Sequence, residues 1–141
     1  MKQIICNALI ELKSLQDLLT ESSSKYFGSK LSDLVGVDTI PFIMYTNEGV
    51  LNRMGKDKTK DEETFVTNFF RIESIDQKRY EVQVSLLRPL DIKGKDTLSI
   101  IDLIKLKKTN TFTTIDLSNI HGIQPLDVDY VKRKVIVEPK Y

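Results

Sequence analysis

The chain has 141 residues, a common size for one domain and enough to bury a core. Hydrophobic residues make up 40% and charged residues 29%, a balance that excludes a disordered polar chain. With 21 basic and 20 acidic residues the net charge is +1, so no long-range field steers the chain onto nucleic acid or an anionic membrane, and little repulsion holds copies apart.

Residues 1–21 are expected to form an N-terminal amphipathic helix, with its clearest period over 3–20. At about 100° per residue, Ile4, Ile5, Ala8, Leu9, Leu12, Leu15, Leu18 and Leu19 share one broad face. That surface is large enough to dock on a core or to pair with another copy. Cys6 and Ile10 fall on the opposite side with Lys13, Ser14 and Asp17. Asn7 and Glu11 interrupt the apolar stretch, which makes it a poor secretory segment, so synthesis in the cytoplasm without export by the general route is expected. No run of about 18 apolar residues exists, so no membrane span is expected.

Ser22-Ser23-Ser24 and Gly28 then predict a loop over 22–37, and a β domain is expected from 38 to 141, the whole forming one globular unit. Thr39 to Thr46 is a nearly continuous apolar run; Pro41 places this strand at a sheet edge or marks its start. Asn47-Glu48-Gly49 predicts a turn into a short strand near Val50–Met54, and Lys56 to Glu63 reads as a solvated loop. Residues 64–75 predict one strand, with Phe65 and Phe69 on one face and Val66, Phe70 and Ile72 on the other. Residues 79–88 alternate cleanly and predict its hairpin partner across Asp76-Gln77-Lys78. Residues 97–106 satisfy either period, 111–117 are threonine-rich and predict a strand, and Gly122 and Pro125 mark a loop. Val135-Ile136-Val137 predicts a last short strand. The fold class expected is mainly β, an antiparallel sandwich or barrel-like domain carrying an N-terminal helix.

Little here resembles catalytic or cofactor chemistry. His121 is the one histidine and Cys6 the one cysteine, which leaves no metal-binding spacing, no nucleophile signature and no intramolecular disulfide. Asp91, Asp96, Asp102 and Asp116 are the residues from which a carboxylate pair would have to come, but acids at strand ends and turns are ordinary surface. Lys105-Leu106-Lys107-Lys108 and Lys132-Arg133-Lys134 are short, carry no interleaved aromatics, and read as solvated faces rather than a nucleic-acid patch. The expected protein is not an enzyme and uses no cofactor. Cys6 reads either as an exposed thiol, with lysines one and two turns away, that pairs only with another molecule, or as an inert helical cysteine. Cys6, Ile10 and the strand at Pro41 are the surfaces expected to mediate self-association.

Four segments in order carry a resemblance: Asp38-Thr39-Ile40-Pro41-Phe42, Phe69-Phe70-Arg71-Ile72-Glu73, Leu86-Leu87-Arg88-Pro89-Leu90-Asp91-Ile92-Lys93-Gly94, and Ile115-Asp116-Leu117-Ser118. Together, over about residues 20–128, they resemble the spore coat protein Y/Z family of Bacillus-type bacteria. The resemblance implies a structural protein of the spore's outer coat or exosporium, made in the mother cell, deposited on the spore surface, with itself and other coat proteins as partners. That family is rich in cysteine. This chain instead has serines and aromatics from Ser22 to Phe27 and, late in the chain, Asn119, His121 and Pro125, so assembly mainly by non-covalent contacts is implied. A carbohydrate- or small-ligand-binding β-sandwich module is the alternative expectation.

Overall fold

The computed structural model describes residues 2–25, 39–58, 60–126 and 136–138. Helix α1 (Lys2–Lys25) opens the chain and continues through the three serines where the sequence predicts its end. The expected 22–37 loop therefore lies, beyond Lys25, outside the described residues, as do Lys132-Arg133-Lys134 and Val135. The strands that follow are β1 (Phe42–Thr46), β2 (Gly49–Val50), β3 (Arg53–Asp57), β4 (Glu63–Thr67), β5 (Phe70–Asp76), β6 (Glu81–Leu90), β7 (Lys105–Asp116), β8 (Gly122–Pro125) and β9 (Ile136–Glu138).

One sheet runs in the order β2-β1-β5-β6-β7-β9, with β8 on the other side of β1; β3 and β4 form a separate two-stranded hairpin. The pairs are antiparallel apart from β9, which lies parallel to β7. The main sheet curls into a half-barrel, so the mainly antiparallel β fold with an N-terminal helix is as the periodicities predict. Val82, Val84 and Leu86 alternate inward along β6 and meet Phe42, Phe70, Ile72 and Ile115 in the principal core. Leu9 and Leu12 of α1 and Phe65 of β4 close over that core, each fully buried aliphatic side chain contributing about 1.5–3 kcal/mol. A second, smaller cluster, Ile43, Phe69, Leu87, Leu103 and Leu106, lies apart from it.

The β5–β6 hairpin forms as expected, its turn tightened by the Asp76 carboxylate, which accepts from the Arg79 N–H at 3.1 Å. The predicted 64–75 strand, in contrast, is broken at Asn68 and Phe69. Thr67 causes the break: its hydroxyl accepts from the Phe69 N–H at 3.0 Å and donates to the Leu87 carbonyl at 2.6 Å. The alternation resets there, so Phe65 joins Phe70 and Ile72 in one core while Phe69 enters the other. The residues that satisfied either period resolve into a loop followed by the start of β7, with Leu103 and Leu106 buried and Ile101 exposed. Gly122 to Pro125, expected as loop, pairs with β1.

β1 begins directly after Pro41, one of the two outcomes that proline allows. It is not an edge strand. β2 and β5 border it on one side and β8 on the other, and the Pro41 carbonyl accepts from the Leu126 N–H at 2.8 Å. No helix among the described residues is long and apolar enough to cross a membrane.

Candidate functional sites: a charged cleft and an uncovered helix face

The helix docks in a different rotation from the one the apolar average of its wheel predicts. Cys6, Leu9, Leu12 and Gln16 are buried, whereas Ile4, Leu15 and Leu18 are 65%, 49% and 56% exposed. Gln16 sets this rotation. Its amide nitrogen donates to the Ile72 carbonyl at 3.0 Å and its amide oxygen accepts from the Ile40 N–H at 3.3 Å. Ile72 stands beside the bulge of β5, where the ladder to β6 is irregular and the helix reaches the backbone. A buried amide must keep such partners, so once Gln16 faces the sheet with Leu9 and Leu12 the helix cannot also turn Ile4, Leu15 and Leu18 inward.

Cys6 is therefore 2% exposed, so of its two readings the exposed thiol is corrected and the buried helical cysteine is what the fold has. Ile10 is half-buried beside it, and Pro41 is half-buried as β1 starts. What remains on the solvent side is a stripe of Ile4, Ala8, Glu11, Leu15 and Leu18. Its spacing alternates four and three residues, the spacing of a helix-pairing seam, with Ala8 half-buried and Glu11 at its centre.

The second site is polar. Arg88 lies at the end of β6, directly opposite Lys107 on β7, a like-charge cross-strand pair that repels on its own. Asp57, at the end of β3 and 1% exposed, resolves it: one carboxylate oxygen accepts from Arg88 Nη1 at 3.0 Å and from Lys107 Nζ at 2.8 Å. Asp96 takes the other side of the guanidinium in a bidentate pair, 2.7 Å from Nε and 3.2 Å from Nη2. Glu63 approaches Nη1 at 3.4 Å, and the Phe65 ring centroid lies 5.7 Å from the guanidinium carbon. The hydrogen bond to Asp96 raises the Arg88 pKa, burial opposes it, and the Asp57 hydrogen bond raises it again, so the guanidinium stays charged.

This network floors a cleft of about 700 Å³. Lys60 and Glu63 of the β3–β4 hairpin line one side, and Leu90 at the end of β6 with Asp91, Ile92 and Ile104 of the loop after it line the other. The nine residues Leu86–Gly94 that read as one motif thus have separate duties. Leu86 enters the main core, Leu87 the second cluster, and Arg88 the ion network. Asp91 folds the loop by accepting from the Lys93 and Lys95 N–H groups at 2.8 and 2.9 Å, and Gly94 takes φ +78°, which a side chain resists. The hairpin turn opposite is strained as well. Asp61 and Glu62 have φ 52° and 56°, and the Glu63 N–H donates to the Lys60 carbonyl, the pattern of a type I′ turn that favours Asn-Gly.

Lys56 to Glu63, expected as a solvated loop, therefore holds one of the most buried carboxylates of the described residues, and Lys107 of the expected solvated run points into the same network. Only Asp57 at a strand end opposite a register-paired Arg and Lys reveals this, and that pairing is invisible before the sheet is assembled. The four aspartates weighed as a catalytic pair have separate places. Asp96 holds Arg88, Asp91 folds its loop, Asp116 accepts from the Ser118 N–H at 2.9 Å, and Asp102 is exposed. His121 is exposed and its backbone N–H donates to the Tyr45 carbonyl at 2.8 Å. Among the described residues no group of three or more His, Cys, Asp or Glu is arranged to hold a metal ion. Comparison with protein-family models, with curated proteins and with solved structures finds no match to this chain.

Proposed function

We propose that this protein is a structural, non-enzymatic subunit that associates with copies of itself through the outer face of α1. The supporting observation is the division of the helix's apolar surface. Leu9 and Leu12 secure it to the sheet, while Ile4, Leu15 and Leu18 stay in solvent at seam spacing. Large apolar side chains held in water along one helix carry a free-energy cost that pairing removes. The near-neutral charge of the chain favours such association. With Cys6 buried, contact between copies is non-covalent. The resemblance of the four ordered segments supplies the setting: the outer coat or exosporium of a bacterial spore, with other coat proteins as further partners.

Size-exclusion chromatography with light scattering over a wide range of concentrations tests the reading. The mass is expected to rise with concentration toward a dimer or larger species, and to do so equally with and without a reductant. A monomer mass at every concentration removes the proposal.

A further inference from the structure

The charged cleft has features that self-association does not use. We infer that it binds a small monoanion bearing an aliphatic chain, a medium-chain carboxylate. Its volume of about 700 Å³ lies within the range of small-molecule sites. A buried ion network is a poor device for stability alone, and here it lies beneath an open cleft beside a turn with two non-glycine residues at positive φ.

The hydrogen-bond inventory sets the sign of the ligand. Asp57, Asp96 and Glu63 all accept from Arg88, and Asp91 accepts from two backbone N–H groups, so each acid of the cleft already has a protein donor. Lys60 lines the same cleft; its backbone N–H donates to the Asp57 carbonyl, while its ammonium has no acceptor among the described residues. What the site lacks is an acceptor, which an anion brings. Its valence follows from the charges present. Lys60, Arg88, Lys105 and Lys107 equal Glu63, Asp91, Asp57 and Asp96 in number, so the cleft is neutral before a ligand enters; a monoanion adds a single negative charge, set against the Lys60 ammonium, whereas a dianion adds a second with no cation left to face it. Leu90, Ile92 and Ile104 make the rest of the wall aliphatic, and no aromatic side chain lines it to stack on a sugar or a base.

Amide NMR of the 141-residue chain titrated with sodium hexanoate tests this, with acetate and hexylammonium chloride as companion probes. The expected result is saturable shifts confined to residues near 60, 88–94 and 104–107, much weaker shifts with acetate, and none of that pattern with hexylammonium. Lys60→Ala, a change on the exposed hairpin, is expected to weaken hexanoate by about tenfold, the loss of one charge-assisted contact. Absence of saturation by about 10 mM, an equal response to hexylammonium, or unchanged affinity in Lys60→Ala each overturns the inference, at a concentration where even weak specific sites fill. Shifts confined to α1 also overturn it, since they report the helix face and not the cleft.

Discussion

At the scale of single residues, Asp57 has the largest expected effect. Its carboxylate accepts from both Arg88 and Lys107, and removing its charge leaves these two facing cations without the acid they share, though Asp96 and Glu63 still hold Arg88. Asp57→Asn is expected to lower unfolding stability by about 3–5 kcal/mol, with part of the loss recovered in Asp57→Asn/Lys107→Met; urea denaturation of the single and double variants measures both. Glu62 makes the opposite case. It stands at φ 56° where a type I′ turn prefers glycine, so Glu62→Gly is expected to raise stability by about 1 kcal/mol in the same assay. Neither effect is legible in the sequence. Asp57 sits among alternating small charges that look like any solvated loop, and a buried ion appears only when strands distant in the chain bring its partners to it.

At the scale of elements, the alternation of 79–88 was sufficient to predict its strand because every inward residue meets one continuous core. The 64–75 stretch defeated the same reasoning because Thr67 diverts the chain from one sheet to another, and a hydroxyl that satisfies its own backbone leaves no period behind. Docking of the β3–β4 hairpin depends likewise on something periodicity ignores. A Cβ at Gly55 would lie 2.8 Å from Leu86 Cδ1, 3.0 Å from Thr111 Cγ2 and 3.2 Å from Phe65 Cζ. Gly55→Ala is therefore expected to push the hairpin off β6 and β7 and to cost about 1–3 kcal/mol, seen as a lower thermal midpoint. For α1 the period gave the helix but not its rotation, since a wheel averages apolarity and gives no weight to one glutamine that must find two backbone partners. Gln16→Leu is expected to cost about 1–3 kcal/mol despite being more apolar, because the Ile40 N–H and Ile72 carbonyl lose their partner.

At the scale of the whole molecule, the fold separates two surfaces with different chemistry. The curled sheet is closed by half of a helix and by a hairpin pinned through an ion network. The other half of the helix is left facing water, and the pinned hairpin leaves a cleft between itself and the loop after β6. The sequence predicts the β class because alternation is a local property. It does not predict either surface, since both arise from what the sheet happens to cover. The association reading depends on the helix face alone, so the sharpest probe alters that face without touching the core. Sedimentation velocity of the wild type beside Leu15→Glu/Leu18→Glu measures it, both positions being about half exposed and free of core contacts. A concentration-dependent sedimentation coefficient in the wild type that collapses to the monomer value in the double variant is the predicted result. Identical behaviour of the two proteins, whether both associate or neither does, contradicts the account.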